Sequence, residues 1–545
     1  MKKHILSIFV CAASLVQMYA QEFVNVGEYI IPVSAVTRIT SSYMEEAPSA
    51  ISEMLQEDEN IKLFTEALKV TGWLDSLKCY TDNSYSVGLD SVDWTNDALV
   101  TRVASEYDNV AYMERRYIAH TVFVEPDATL AEKYGIKDLN SLRAKAHELY
   151  DAVYPEDASI TDETDTRNAL NRFVAYHILP FRAGYYQLTC VDGGNNTLAN
   201  NWARDKWDIA DWYETCMPYS IMKFSYPMGS QAGLYINRRG VQSRADERGV
   251  FVRGTQVMDP SSTGGYNAGI NGVYYYIDDI IAYDKQTQEV VLDERMRIDC
   301  STLSPDFMTS GARGHYTRSS NEGGKYGTWD GTVNHNNKNT CLGFKSGAAK
   351  NFEFDDYNTH LHVRPRTLSF WSYQGDEVAI LGNFDVTVKI PPVPKGEYEL
   401  RLGTCVNFSD RGLVQFYIDG VPQGEPVDMR ADGVQLFGWK SDNALGDEEA
   451  ITAFDKEIHS MGWMKGPKSY YSALSEAGGG KASCFRDLSN TVRKVIGHFT
   501  SDGKTDHYMR FQQMLYGQWF GLNFDYIEIV PASVYNNELI DEDRW

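Results

Sequence analysis

Apolar residues recur at helical spacing over residues 63–77, where Leu63, Ala67, Val70, Leu74 and Leu77 fall at i, i+4, i+7, i+11 and i+14. That spacing predicts an amphipathic helix with one face on a core, and Phe64 and Leu68 widen the stripe as a globular helix requires. A second helix is expected after Asp138, a good N-cap, with Leu139, Leu142, Ala146, Leu149 and Val153 in register until Pro155. A third runs from about Thr166 through Leu170, Phe173 and Val174 to Pro180. Strand-like patterns then take over from Tyr185 to Asp284, so this half reads as α+β.

The texture changes again near residue 298. Residues 309–350 are rich in Gly, Asn, Ser and Lys, which predicts long loops. Period-two alternation follows: Phe384, Val386, Val388 and Ile390 interleave with Asp385, Thr387 and Lys389. Tyr398, Leu400 and Leu402 repeat the pattern, as do Val414, Phe416 and Ile418 before the turn Asp419-Gly420, and Phe524 to Pro531 forms a last strand. Repeated alternating strands with a hairpin Asp-Gly predict an antiparallel sandwich. At 545 residues the chain exceeds the size at which one core stops growing, so two domains are expected, over 46–296 and 298–534.

The N-terminus places Lys2, Lys3 and His4 before the apolar stretch Ile5 to Val16, with a small residue at Ala20. This reads as a secretory signal peptide over residues 1–20, too short for a bilayer crossing of roughly 20 apolar residues. Lipidation of Cys11 is the rival reading; Phe9-Val10 fits it poorly because a small residue normally precedes such a cysteine. The expectation is an exported chain in the periplasm, at the cell surface or outside the cell. Removing two lysines and no acids with residues 1–20 takes the formal charge from −24 to −26. Such a balance excludes nucleic acid, which needs cations to displace phosphate counterions. It equally excludes a purely electrostatic hold on anionic lipid, and is most simply read as solubility. Cysteines 79, 190, 216, 300, 341, 405 and 484 remain, no two within four residues, so zinc-ribbon spacing is absent.

Three stretches carry a family resemblance. Ile118, Val122, Phe123 and Val124 run into Pro126-Asp127-Ala128; a helix closes on Ala175-Tyr176-His177-Ile178-Leu179-Pro180; and Ile270-Asn271-Gly272-Val273 leads to Tyr276-Ile277-Asp278-Asp279-Ile280-Ile281. In that order they resemble the fasciclin (FAS1) family over roughly 46–285. The resemblance implies an extracellular adhesion or binding module, a small β-sandwich with helices at one side, and a structural His177. Asp127 reads as an N-cap and Asn271-Gly272 as a turn. Residues 191–212 and 238–269 are longer connections than such a domain needs, either passive insertions or added binding loops. The second half resembles, less specifically, the jelly-roll modules of bacterial exported proteins, many of which bind carbohydrate. Pro394 to Tyr398, Gly412 to Gly420 and Asp525 to Ile529 carry that likeness. Together they imply an α+β fasciclin domain followed by an all-β jelly roll, of the kind encoded beside outer-membrane glycan importers.

Catalytic signatures are missing. In Gly229-Ser230-Gln231-Ala232-Gly233 the serine stands one place early for a nucleophile elbow, and His147-Glu148 lacks the second histidine of a zincin. Acidic pairs are too common among 75 carboxylates to indicate a glycosidase. His360 and His362 share one face of an alternating strand, a partial metal set set against a plain solvent-facing strand. Asp192 to Asn196 clusters oxygens suited to calcium, without EF-hand spacing. No cofactor is expected.

Sugar binding has the better physical basis, because pyranose C–H faces pack on aromatic rings while amides, carboxylates and guanidinium groups bond the hydroxyls. The second half holds Trp329, Trp371, Trp439, Trp463, Trp519 and Trp545. Trp439 and Trp463, in loop-like surroundings, are the ligand candidates, against a core role for each. The function expected is non-enzymatic capture of a glycan or cell-surface adhesion, with a glycan importer as possible partner. The alternatives are a structural adhesin that binds protein through the fasciclin half, and an enzyme with an unrecognised site.

Overall fold

A computed structural model of the chain describes residues 49–82, 116–185, 187–189, 208–227, 232–240, 249–259, 267–309, 340–344, 346–354, 359–364, 373–374, 377–470, 484–515, 520–537, 540 and 542–544. It also describes the strands β1 (Phe23–Val26), β2 (Tyr29–Pro32) and β3 (Asn109–Tyr112). The signal-peptide segment and Cys11 lie outside these residues, as do Asp192 to Asn196 and Trp329, Trp371, Trp519 and Trp545. The described chain is mixed α/β, mostly β, with mostly antiparallel sheets. No described helix is long and apolar enough to cross a membrane.

Among the described residues of the first half are the α-helices α1 (Ile51–Glu57), α2 (Lys62–Val70), α3 (Trp73–Ser76), α4 (Asp127–Tyr134), α5 (Leu139–Tyr150) and α6 (Ala169–Tyr176). The stripe expected to form one helix over 63–77 is divided. Thr71 Oγ1 donates to Ala67 O at 2.7 Å and Gly72 takes φ 80°, a left-handed stop. Helix α3 restarts close enough to register that Leu74 and Leu77 still reach the core. Asp138 caps α5 as expected, its carboxylate accepting Ser141 N at 2.8 Å. Asn168 caps α6, which therefore starts later than Thr166. Asp127 is not the cap of its own helix. It is the first residue of α4, and its carboxylate accepts Leu63 N at 3.1 Å, so it caps α2 instead.

These helices flank two four-stranded sheets. One has the order β10 (Ala268–Gly269), β11 (Gly272–Tyr276), β4 (His120–Val124), β5 (Ile178–Leu179), with β11 parallel to β4. The other is β6 (Asp208–Glu214), β7 (Ile221–Pro227), β8 (Leu234–Ile236) and β9 (Thr255–Val257). Asn271 does more than turn the chain. Fully buried, it accepts Ile51 N at 2.9 Å and donates to Leu77 O and Cys79 O at 2.7 and 2.8 Å. Next to it, a Cβ on Gly272 would stand 2.6 Å from His120 O, so only glycine lets β11 lie against β4. Asn271→Ala, which orphans two buried backbone groups and a part-buried third, is expected to cost about 2 kcal/mol, read from urea unfolding.

The second half is built from three sheets. The first has the order β12 (Met296–Asp299), β26 (Tyr526–Pro531), β18 (Gly396–Cys405), β23 (Thr491–Ser501), β22 (Trp463–Lys465). The second runs β14 (Phe352–Phe354), β17 (Asp385–Lys389), β24 (Tyr508–Gln513), β19 (Leu413–Ile418), with β20 (Val421–Pro422) and β21 (Val427–Asp428) both on β19. The third is β25 (Phe520–Asn523), β16 (Glu377–Gly382), β15 (His360–Arg364), β13 (Thr340–Phe344) and β3. Asp419 and Gly420 have φ 49° and 76°, the hairpin turn their sequence predicts. Helices α7 (Pro305–Thr309), α8 (Gly433–Phe437), α9 (Asp442–Leu445), α10 (Glu448–Ser460) and α11 (Ala532–Tyr535) complete this half.

Two separate cores were expected, yet most of the buried apolar side chains of both halves form one connected body from Ile51 to Ile529, with two small clusters beside it. Strand β3 pairs in parallel with β13, and Gln374 donates to Asp211 at 2.9 Å across the halves. Strand β12 begins at Met296, so the expected junction falls inside a sheet strand.

Glu528 on β26 sits in a buried charge cluster. All six residues of β26 are buried, because α10 and residues 542–544 lie over the outer side of the sheet and bond to it. Glu528 takes Arg297 at 2.6 Å, Arg401 at 3.1 Å and Arg493 at 3.4 Å; Arg401 also bonds Glu399 at 2.6 Å and Glu542 at 2.5 Å. From α10, His459 reaches Glu399 at 3.1 Å and Asp543 at 2.5 Å. Burial opposes charge on His459, but Asp543 and Glu399 outweigh it and raise the imidazole from 6.5 to about 9. The imidazolium therefore stabilises the fold fully below its ordinary value near 6.5, and that contribution is lost as pH rises through about 9. Between pH 6 and pH 9.5 the wild type should lose about 3 kcal/mol relative to His459→Gln, measured as the difference between their unfolding free energies in urea.

Candidate functional site

The outer face of the second-half sheet β14-β17-β24-β19 gathers a bonded set of polar and aromatic side chains, several of them partly exposed. Its inner face sets the register. Val386, Val388, Phe416, Ile418, Met509 and Phe511 are all buried, so their neighbours along each strand must point the other way. Cross-strand pairing then aligns Glu353, Thr387, Arg510 and Tyr417 in one row. Asp385, Gln512 and Gln415 form a second row, and Lys389 pairs with Tyr508 in a third.

These side chains hold one another in place. Arg510 grips Asp385 through two parallel bonds of 2.7 and 2.6 Å, and Gln512 donates to the same carboxylate at 2.8 Å. Tyr417 OH donates to Gln512 Oε1 at 2.7 Å, with the Arg510 guanidinium 5.0 Å from the centre of the Tyr417 ring. The fork between Arg510 and Asp385 fixes both planar groups. Lys389 Nζ lies 2.6 Å from Glu214 of the first half and 3.1 Å from Asp506. Burial opposes its charge, but Glu214 and Asp506 outweigh burial and raise the ammonium above its ordinary value. Tyr508 is 38% exposed; burial of its hydroxyl, with Asp506 nearby, raises its phenol. At this end the face adjoins a notch lined by Tyr219, Pro391, Pro392, Val393, Thr505 and His507. Tyr219 sits at the tip of the β6–β7 hairpin at φ 59°.

The arrangement suits a hydroxyl-rich ligand. The phenol oxygen of Tyr417 keeps acceptor capacity, the Gln512 amide keeps a second N–H, and the ring faces of Tyr417 and Tyr508 are apolar.

The tryptophans chosen from sequence fall elsewhere. Trp463 is not in a loop: it is on β22, 6% exposed, stacked on Phe437 at 5.5 Å and roofed by Lys494 at 5.2 Å. Trp439 ends α8 after Gly438 and packs, half-buried, against the core with Lys465 Nζ 5.8 Å from its ring. Both belong to the packing around a buried charge cluster. There Asp442 bonds Lys465 and Arg486 at 2.7 Å each, and Arg486 bonds Asp455 at 2.6 Å. His360 and His362 do share one face of β15, 6.4 Å apart, but both are buried, at 4% and 2% exposure. His177 is fully buried, with Nε2 2.8 Å from Glu125 and Nδ1 2.6 Å from Phe173 O, the cross-core role expected of it. No group of three or more metal-ligating residues occurs among the described residues. Cys79, Cys216 and Cys300 are free thiols. Asp385, Thr387 and Lys389 are visible in sequence as the polar half of an alternating strand. Tyr508, Arg510 and Gln512 carry the same signal, and only pairing brings them together.

No family model matches the chain, and no curated protein does. Among solved structures, a Paenibacillus xanthan lyase is similar over 34% of this chain and 13% of its own, at 10% identity and TM-score 0.19. The catalytic domain of a GH87 α-1,3-glucanase in complex with tetrasaccharides is similar over 33% of this chain and 28% of its own, at 14% identity and TM-score 0.16. The insecticidal crystal protein Cry2Aa covers 74% of this chain and 69% of its own, at 10% identity and TM-score 0.18. Likenesses of this extent bear on neither the fold nor the activity of this chain.

Proposed function

We propose that the chain is an exported, non-enzymatic binding protein that holds a glycan on the outer face of the β14-β17-β24-β19 sheet. In this reading the first half is a fasciclin-like module and the second a jelly roll. The parallel pair β4–β11, closed by Asn271-Gly272 and flanked by helices, supports the first part. The single observation that carries the function is the chain of bonds Tyr417–Gln512–Asp385–Arg510 on a partly exposed sheet face. Such pre-set planar groups bind hydroxyls without a further cost of ordering.

Isothermal titration of oligosaccharides into the full-length protein tests the proposal. Tyr417→Ala combined with Tyr508→Ala should weaken binding at least about tenfold, the loss of two stacking surfaces. Trp439→Ala should leave binding unchanged. Equal affinity in the double variant, or loss in Trp439→Ala, would move the site back to the tryptophans.

A further inference from the structure

The charges around this face select among glycans. Both cations on it are already engaged: Arg510 by Asp385, and Lys389 by Glu214 and Asp506. Exposed Glu353 stands in the same row as Arg510. Asp419 lies at the far edge, accepting Tyr508 N at 2.9 Å and bonding His507 at 2.7 Å. Lys504, beside the notch residue Thr505, is paired with Glu156. Locally, then, five carboxylates (Asp385, Glu214, Asp506, Glu353 and Asp419) face two cations at the sheet. Binding a carboxylated or sulfated sugar requires a cation to leave its partner, or an anion to sit among acids. Screening confines the effect to groups within about 8–10 Å at physiological salt, so these local acids matter more than the formal charge of −24. The more distant charge adds a slower approach for anions at low salt. An ammonium-bearing amino sugar meets no such barrier, since neither Arg510 nor Lys389 engages exposed Glu353.

We infer that the ligand is a hydroxyl-rich glycan without anionic groups, and that the face discriminates against uronate and sulfated sugars. The inference rests on the reading of this face as a glycan site. What remains for recognition after the internal ion pairs are made carries no cation: a phenol oxygen, an amide N–H, two aromatic faces and the acid Glu353.

The test is titration of the full-length protein with neutral gluco-, manno- and xylo-oligosaccharides, with oligogalacturonate, with a sulfated galactan and with chitosan oligomers, each at 20 and 500 mM salt. At least one neutral or cationic series should bind, and the anionic series should bind about tenfold or more weakly at 20 mM salt. The gap to the anionic series should narrow at 500 mM. Glu353→Lys should narrow it at 20 mM salt. Preference for an anionic series would overturn this inference and leave the glycan-binding proposal standing. Absence of binding by every series would overturn both.

Discussion

Replacing Glu528 with glutamine is expected to destabilise the protein by about 3–5 kcal/mol, the cost of removing one partner from a buried ion cluster. The carboxylate is fully buried and faces Arg297, Arg401 and Arg493 at 2.6, 3.1 and 3.4 Å. Burial works against its charge, but the three guanidinium groups outweigh that and hold the carboxyl well below its ordinary value. Glutamine fills the same space while leaving three buried cations short of an anion. Urea unfolding followed by tryptophan fluorescence would show the shift. A double change that also makes Arg297 methionine should recover part of the loss, since an ion pair exchanged whole for apolar volume is close to neutral. A loss below about 1 kcal/mol in Glu528→Gln would mean that the cluster is open to water.

Arg510→Lys is expected to weaken glycan binding about 100-fold while the charge is kept. Arginine holds Asp385 through two bonds in one plane and places its guanidinium over Tyr417. Lysine supplies a point charge with no fork, so Asp385, Gln512 and Tyr417 lose the geometry that orders them before a ligand arrives. Stability should change little, because the pair is partly exposed. Isothermal titration calorimetry reads the affinity, and a thermal melt separates it from unfolding. Full affinity in this variant would place the ligand elsewhere.

Local signals were legible where local chemistry decides the structure. Asp138 announced a helix start, Asp419-Gly420 a hairpin, and the Phe384 to Ile390 alternation a half-buried strand. Gly72 broke a helix that periodicity had drawn as continuous, because the apolar stripe resumes almost in register beyond it. Asp127 capped a helix 64 residues away, which no local pattern reports. Glu528 is buried by α10 and residues 542–544, which come from elsewhere in the chain. Trp463 lies beside Gly462 and Lys465, a loop-like composition, yet Lys465 is itself fully buried against Asp442. The site was half visible: the polar residues of β17 could be read, but not that β24 and β19 would set Arg510, Gln512 and Tyr417 beside them.

Hydrogen–deuterium exchange of the full-length protein, with and without a saturating neutral oligosaccharide, tests the central proposal most directly. Slower exchange confined to residues 385–389, 413–418 and 508–513, with the oligosaccharide recovered uncut, is the predicted result. Protection centred on residues 433–465, or progressive cleavage of the sugar, would contradict it.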